Sequence, residues 1–239
     1  MKVILFLFPL FFLSCSKISS DDIDQSEIYT RYSLDYKKDS GEVLAKATFF
    51  VERPGSERVE LSHGSEVHVN GRKMRLQGIV EKNLSLEYSV ILDIDDLDEG
   101  LKFSYFNNNE DIYENTFKVL KSPELTENSK KKIKLDESSL LVFKADSLEG
   151  KDLYFDITGS NGKTLRSKTI AIEDVKKEDE EGTASFEIKD RKTFDDTLTE
   201  KGQIVLCAAE NKEKVVAPAA GGSANLTSCS QPYDVSILN

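Results

Sequence analysis

From about residue 27 onward, polar and apolar residues alternate along short segments of the chain. The alternation is regular over 28–36, 43–51 and 84–92, where the apolar residues fall on one face. A period of two is typical of a strand with one buried face, so these segments are predicted to be half-buried β-strands. No segment has the apolar spacing of a helix of ordinary length, and the pattern therefore predicts an all-β protein.

Turn-forming sequences separate the predicted strands. The clearest is Asn70-Gly71, which lies between the apolar segment 67–69 and the segment 73–76. A type I′ turn requires positive φ at both central positions, and Asn followed by Gly adopts this conformation readily. We therefore predict a β-hairpin here, with further turns at 53–57 and 106–111.

The predicted strands form two blocks, 27–121 and 133–239, with about seven short strands in each, as in a β-sandwich. Between them, residues 122–132 contain Pro123 and three consecutive lysines, which interrupt the alternation and predict a linker. The pattern resembles the Ig-like and fibronectin-III-like modules of bacterial surface proteins, which implies two tandem antiparallel β-sandwich domains. The chain has no Trp, so the Cys-Trp-Cys core of antibody domains is absent.

The N-terminus has a different character, because Lys2 is followed by an unbroken apolar run at 3–13. A charged start, an apolar core and a small residue at the cleavage point are typical of a secretory signal peptide, which we assign to residues 1–14. The run is shorter than the about 20 apolar residues of a membrane-spanning helix. A buried core helix is the weaker interpretation, since the run is apolar on all sides.

The end of this segment, Phe12-Leu13-Ser14-Cys15, resembles the lipobox of bacterial lipoproteins. The resemblance implies cleavage after Ser14 and lipidation of Cys15, with palmitate-type acyl chains, as the first residue of the mature chain. Phe12 departs from the usual Leu, and ordinary cleavage that leaves Cys15 unmodified is the alternative. Ser16 is not the Asp that marks inner-membrane retention in enteric bacteria, which favours the outer membrane of the cell envelope.

Residues 15–26 are small, polar and acidic, and this composition predicts a flexible tether between lipid and globule. Cleavage removes Lys2, so 31 of the 32 basic residues remain against 43 acidic ones, and the net charge changes from -11 to -12. We expect no binding of nucleic acid, which depends on Lys and Arg, and repulsion from anionic lipid. The membrane is thus expected as a partner through the N-terminal lipid alone.

Once Cys15 is assigned to the lipid, Cys207 and Cys229 remain. In an oxidising compartment such a pair is a candidate disulfide. Closing a loop of this length is worth about 3 kcal/mol on the chain-entropy estimate. The alternative is two free thiols that do not meet.

Catalytic motifs are absent from the sequence, which has no G-x-S-x-G elbow, P-loop or dinucleotide fingerprint. The two histidines, His63 and His68, fall in a predicted turn and a predicted strand. Neither a zinc site nor a Ser-His-Asp arrangement is favoured by these positions. We therefore expect no catalytic residue, no metal and no cofactor.

A cluster of acidic residues is the weak exception for metal binding. Carboxylate oxygens suit calcium, but the spacing in this cluster does not fit an EF-hand loop. A solvated corner between two strands is the favoured interpretation, and calcium is the alternative. The residues of the cluster are Asp93, Asp95, Asp96, Asp98 and Glu99.

The longest predicted loop, 209–231, is the strongest candidate for an interaction loop, because binding residues concentrate on loops. A disordered insertion without a partner is one alternative, and docking of a partner on an exposed strand edge is another. The small and apolar residues that define the candidate are Val215, Val216, Pro218, Gly221 and Gly222.

Together these features predict a membrane-anchored cell-envelope lipoprotein that acts as a non-catalytic binding or adhesion module for an unknown protein or glycan ligand. A structural or accessory lipoprotein of an envelope assembly is the alternative. A hydrolase is the weakest of the three, since no catalytic motif accompanies the many carboxylates.

Overall fold

A computed structural model describes residues 17–62, 64–77, 86–93, 100–126, 133–135, 140–145, 151–159, 164–170, 176–177, 183–187 and 201–237. Its elements are almost all strands, which confirms the all-β prediction. Two short 3-10 helices, Ser20–Asp22 and Gln25–Glu27, lie near the start. The strands of the described part are β1 (Lys17–Ser19), β2 (Ile28–Lys37), β3 (Glu42–Val51), β4 (Arg58–Glu60), β5 (Glu66–Val69), β6 (Arg72–Lys73), β7 (Arg75–Gln77), β8 (Glu87–Asp93), β9 (Leu101–Phe106), β10 (Ile112–Phe117), β11 (Glu124–Leu125), β12 (Ile133–Leu135), β13 (Leu140–Lys144), β14 (Asp152–Gly159), β15 (Thr164–Ile170), β16 (Lys176–Lys177), β17 (Thr183–Glu187), β18 (Lys201–Lys212), β19 (Gly222–Cys229) and β20 (Tyr233–Ile237).

Twelve of the described strands form one sheet, which we call the shared sheet. Its main path runs β1–β4–β3–β2–β19–β18–β14–β15, while β8 pairs with β3 and β7, and β20 pairs with β18 and β12. Two four-stranded sheets, β10–β9–β5–β6 and β11–β13–β17–β16, complete the described part. The pairs β1–β4, β2–β19 and β12–β20 are parallel. The shared sheet is therefore mixed, whereas the sequence pattern predicts antiparallel sheets.

An aromatic core fills the space between the shared sheet and the β10–β9–β5–β6 sheet. The ring centroids of Tyr32 and Phe103 lie 4.8 Å apart, as do those of Phe49 and Tyr105. Each pair joins one residue of the shared sheet to one of the smaller sheet, and all four side chains are buried. Aromatic contacts of this kind add to the free energy of simple apolar burial. The N-terminal block is thus two sheets packed face to face, which we call the first sandwich.

The shared sheet crosses the boundary between the two predicted blocks. Strand β19 pairs in parallel with β2 over eight residues, from Gly222 opposite Thr30 to Cys229 opposite Lys37. Ala224 of β19 is fully buried and belongs to the same core as the aromatic residues of the first sandwich. A strand from the C-terminal block therefore completes the first sandwich.

Part of the predicted linker 122–132 is also structured. Glu124–Leu125 forms β11, which pairs with β13, and Leu125 is buried. The hydroxyl of Ser122 lies 2.8 Å from that of Ser228 and donates to the carbonyl oxygen of Cys229 at 3.0 Å. The linker prediction rested on Pro123 and the lysines, but the residues beside Pro123 find partners far away in sequence.

The predicted tether 15–26 is packed against the first sandwich wherever the structure describes it, from residue 17 on. Ser20 is fully buried, and its hydroxyl accepts a hydrogen bond of 2.9 Å from the backbone N–H of Ser62. The side-chain amide of Gln25 donates to the carbonyl oxygen of Ser20, and Ile23 packs on the core. The composition of this segment suggests a flexible chain, because composition carries no information about long-range hydrogen bonds. In the folded protein such bonds satisfy the polar groups of the segment.

The Asn70-Gly71 hairpin forms as predicted. Asn70 and Gly71 have φ of 47° and 73°, and β5 and β6 pair directly on either side of them. Positive φ at both positions is the requirement that their residue types indicate.

Candidate functional site

The predicted interaction loop is shorter than its sequence suggests, because strands occupy both of its ends. β18 continues to Lys212 and β19 begins at Gly222, which leaves residues 213–221 as the loop. Burial alternates along β19, because every second residue is buried. The buried residues are mostly small, so the strand carries too little hydrophobicity to be recognised from sequence. They are Gly222, Ala224, Leu226 and Ser228.

Loop 213–221 is held against the first sandwich through the side chain of Asn115 in β10. The Asn115 amide donates to the carbonyl oxygen of Val216 at 2.8 Å, and the Val216 N–H donates to Asn115 Oδ1 at 2.7 Å. Asn115 is only 7% exposed, so this pair of bonds is shielded from water. Buried hydrogen bonds are costly to break, because the groups left behind lose all partners. The loop is therefore fixed to its own chain along this side.

Two glycines let the other side of loop 213–221 approach β2. The backbone N–H groups of Ala220 and Thr30 donate to the carbonyl oxygens of Ser26 and Gly221, at 2.8 and 3.1 Å. Gly221 has φ of +95°, which favours glycine, and a Cβ at Gly222 would overlap the hydroxyl of Thr30. The glycines of the candidate loop thus serve close backbone packing.

The apolar residues of loop 213–221 divide between inside and outside. Val215 packs on the core of the first sandwich and Pro218 is buried. Val216 remains 58% exposed, although its backbone is bonded to Asn115. The structure therefore brings the five predicted loop residues together, but Val216 is the member whose side chain is presented outward.

Tyr32 lies beneath this loop and is fully buried. Burial raises the pKa of its phenol well above the usual range, and the neighbouring side chains of Thr30 and Asn115 act in the opposite direction. A phenol with a raised pKa stays neutral at physiological pH. Tyr32 is thus a neutral polar group of the core rather than an activated nucleophile.

Cys207 and Cys229 form the disulfide that parity and compartment predict. They lie directly opposite each other in β18 and β19, with Cα atoms 4.1 Å apart. β18 pairs with β14 and β20, whereas β19 pairs with β2 of the first sandwich. The bond therefore links the strand that completes the first sandwich to the centre of the C-terminal block.

The first sandwich has one end, which we call the Lys17 end, where β1, β2 and β4 begin and β3 stops. Lys17 lies opposite Arg58, and Arg58 lies opposite Phe50, so these residues form one row across the strands. The turn 52–57 projects from this end, with the N–H of Glu52 bonded to the carbonyl oxygen of Glu27. Loop 213–221 lies at the same end, because its last residues bond to the start of β2.

A cation–π cluster at this end was not apparent from the sequence. The guanidinium carbons of Arg31 and Arg58 lie 5.4 and 5.9 Å from the ring centroid of Phe50. Phe50 is only 4% exposed, although its neighbour Phe49 already fills the core side of β3. Successive residues of a strand point to opposite faces of the sheet, so the consecutive aromatic residues Phe49 and Phe50 imply that both faces of β3 are covered. This pair was the sequence signal that could have indicated the cluster.

Of the two histidines, His63 lies outside the described residues. His68 in β5 has its Nε2 atom 2.9 Å from Glu66 Oε1, and its ring centroid is 5.1 Å from that of Phe106. A hydrogen bond from Lys73 is the main reason why the pKa of Glu66 lies below its usual value, with a smaller contribution from His68. The described geometry therefore places His68 in a surface charge network.

The calcium candidate is described only at Asp93, which ends β8 with its side chain exposed. Asp95, Asp96, Asp98 and Glu99 lie outside the described residues. Within the described ranges, no group of three or more His, Cys, Asp or Glu side chains is arranged to hold a metal ion.

The predicted signal peptide 1–14 and Cys15 also lie outside the described residues. Among the elements from Lys17 onward that the structure describes, none is a helix both long and apolar enough to cross a membrane.

No protein-family model and no curated protein matches this chain. Among solved structures, it is similar to a β-glucuronidase of Lactobacillus rhamnosus, with 8% identity, a TM-score of 0.18, and coverage of 79% of this chain and 35% of that one. It is also similar to a β-glucuronidase of Ruminococcus gnavus, with 11% identity, a TM-score of 0.17, and coverage of 78% of this chain and 35% of that one. The chain spans about a third of the length of these enzymes. Similarity this weak supports no inference about fold or activity.

Proposed function

We propose that the protein is a bacterial cell-envelope lipoprotein that acts as a non-catalytic binding or adhesion module. In this proposal residues 1–14 are removed, Cys15 carries the lipid, and the folded part binds a protein or glycan ligand at the cell envelope. The outer membrane is the favoured location because Ser16, rather than Asp, follows Cys15.

The observation that carries the proposal is the sequence Phe12-Leu13-Ser14-Cys15 at the end of the apolar run 3–13, which itself follows Lys2. A signal peptide of this form directs export, and the cysteine supplies the point of lipid attachment. One structural feature supports it. The disulfide between Cys207 and Cys229 suits an exported protein, because disulfides persist in oxidising compartments.

We further propose that both blocks are Ig-like β-sandwiches arranged in tandem. The first sandwich supports this, with its two sheets packed around aromatic residues. In the second block, the backbone N–H of Leu125 in β11 donates to the hydroxyl of Tyr233 in β20 at 3.3 Å, which joins two sheets. Both sandwiches then share one sheet through β19 and β18.

A structural or accessory role in an envelope assembly is the second candidate function. One observation favours it: the predicted interaction loop is bonded to its own chain through Asn115, and β19 joins the two blocks. Two blocks joined by a shared strand suit a structural spacer, because a spacer must hold its two ends at a fixed distance from each other.

The intact mass of the protein extracted from membranes tests the anchor. We expect a chain that begins at Cys15 and carries acyl chains, and a Cys15→Ser variant that leaves the membrane fraction. A Ser16→Ala variant is the matched control and should remain lipidated. A membrane-extracted protein with an unmodified Cys15 would exclude the lipoprotein function.

Protease treatment of whole cells distinguishes the two roles. Digestion of the folded part on intact cells supports outward binding or adhesion. Protection until the envelope is opened supports the accessory role inside the envelope.

A further inference from the structure

We propose that the Lys17 end of the first sandwich is a membrane-contact surface that rests on the phosphate-containing headgroups of a zwitterionic bilayer. The inference depends on the proposed lipidation of Cys15 and adds which surface of the folded part faces the membrane. Its two contact elements are the turn 52–57 and loop 213–221.

The first argument is the short length of chain between the lipid and the fold. Lys17 is already in register with Arg58 in the shared sheet. Two residues of chain span at most about 7 Å even when fully extended. Cys15 therefore lies within that distance of Lys17, and an acyl chain on it brings the Lys17 end to the bilayer.

The second argument is that the residues after the anchor hold it in place. Asn108 donates from its backbone N–H to the side-chain oxygen of Gln25, and Ser20 is bonded to Ser62. Both Ser20 and Gln25 are buried, and buried hydrogen bonds resist local opening. The segment between the anchor and β2 is therefore held rigidly against the first sandwich, and the folded part keeps one orientation relative to the lipid.

The third argument is the character of the two contact elements. The turn 52–57 contains two Glu and one Arg, and Arg58, the first residue of β4, balances the second Glu. Loop 213–221 contains one Glu and one Lys, so the turn with Arg58 and the loop are each neutral in a chain of net charge -11. Val216 offers an exposed apolar side chain, and the guanidinium groups of Arg31 and Arg58 suit phosphate oxygens. Acidic residues 21, 22 and 24 lie between β1 and β2, the two strands that begin at this end, and their charge disfavours anionic lipid, which selects zwitterionic headgroups.

The C-terminal block lies toward the opposite end of β2. Strand β2 runs from the Lys17 end to Lys37, where Cys229 lies beside it and Lys38 forms an ion pair with Glu124. The block is thus carried away from the membrane and is left accessible to a ligand or an assembly partner.

The absence of Trp in the chain allows a direct test with single Trp variants. Val216 and Ile91 are both 58% exposed, so Val216→Trp and Ile91→Trp are matched probes. Ile91 pairs with Leu44, six positions along β3 from Phe50, or about 20 Å at the rise of a strand. Arg53→Trp provides a second probe at the Lys17 end if Val216→Trp does not fold.

The mature chain from Cys15, with its disulfide closed, is coupled through the Cys15 thiol to a maleimide lipid in phosphatidylcholine vesicles that carry nitroxide headgroups. We expect several-fold stronger quenching of Val216→Trp than of Ile91→Trp. Insertion of a flexible Gly/Ser spacer of about twelve residues before Lys17 should abolish the difference. Equal quenching of the two probes without the spacer, or stronger quenching of Ile91→Trp, would overturn the inference.

This design separates the inference from the proposed function, because the coupling does not depend on lipidation in the cell. A cellular protein without acyl chains on Cys15 contradicts the proposed function. Equal quenching of two acylated or coupled probes contradicts the orientation and leaves the lipoprotein function intact.

Discussion

Leu226 lies directly opposite Leu34 in parallel register, although the two residues are 192 positions apart in the sequence. Both side chains are 2% exposed and belong to the core of the first sandwich. Because β19 also pairs with β18 of the C-terminal block, this contact makes the first sandwich dependent on the end of the chain. Folding of the N-terminal block therefore requires closure of a very long loop, which is slow but costs little additional free energy.

Replacement of Leu226 by Ala should lower the free energy of unfolding by about 2–5 kcal/mol, the range for a buried Leu that leaves a cavity. Since β19 belongs to both blocks, hydrogen exchange should increase in β2 as well as in β18. Urea unfolding followed by circular dichroism, with exchange read by mass spectrometry, measures both effects. Leu76→Ala is the control, because Leu76 is 36% exposed and should change stability little. Loss of protection in β18 alone would contradict the shared core.

Replacement of Asn115 by Ala should release loop 213–221 from the first sandwich. It removes both bonds to Val216 and leaves the backbone groups of Val216 without these partners, which costs about 1–3 kcal/mol. Tryptic cleavage after Lys214 should accelerate, since the released loop fits a protease more readily. Asn225→Ala is the matched control, as Asn225 is exposed in β19. Unchanged cleavage in the Asn115 variant would show that other contacts hold the loop.

Gly222→Ala should destabilise the protein by about 1–3 kcal/mol, as expected for overpacking. The added Cβ would overlap Thr30 Oγ1 and lie 2.6 Å from Val215 Cγ2 and 2.9 Å from the Thr30 carbonyl oxygen, so backbone must move. The amide of Thr30, which donates to Gly221, should then exchange faster. Gly41→Ala adds a Cβ to open space at a positive φ, and is expected to cost stability without affecting the Thr30 amide. Wild-type protection of Thr30 in the Gly222 variant would contradict this packing.

The sequence predicts those strands whose inward positions carry large apolar residues, such as β3 with Val43 and Phe49. It also predicts the hairpin at Asn70-Gly71, because the residue types report the local backbone conformation. Strand β19 is different, since its inward positions are small and its stability comes from pairing with β2. A pairing between distant segments leaves no local pattern, so the shared sheet could not be inferred.

The same limit applies to the candidate site. Its loop residues were identified from length and composition, but Asn115, the residue that fixes Val216, lies 101 positions away. Asn115 occupies an inward-facing position of β10, between Tyr113 and Phe117. A polar residue at such a position was the feature of the sequence that indicated a specific hydrogen-bond partner. The fixed N-terminal segment was missed for the same reason, because Ser20 is bonded to Ser62 across 42 positions.

Removal of the disulfide tests how strongly the two blocks are joined. Cys207 and Cys229 are 22 positions apart, and opening a loop of this size should cost about 3 kcal/mol through the entropy of the unfolded chain. We expect a double Cys207→Ser, Cys229→Ser variant to unfold at lower urea concentration, and the wild-type protein to show the same shift under reducing conditions. Cys15→Ser in the mature chain is the control and should leave the midpoint unchanged.

Because the disulfide links β18 to the strand that completes the first sandwich, its removal should lower the hydrogen-exchange protection of β2 together with that of β14. A fall confined to β14 would mean that β19 stays on β2 by its backbone and core contacts alone, and the first sandwich would then keep its added strand without the covalent link.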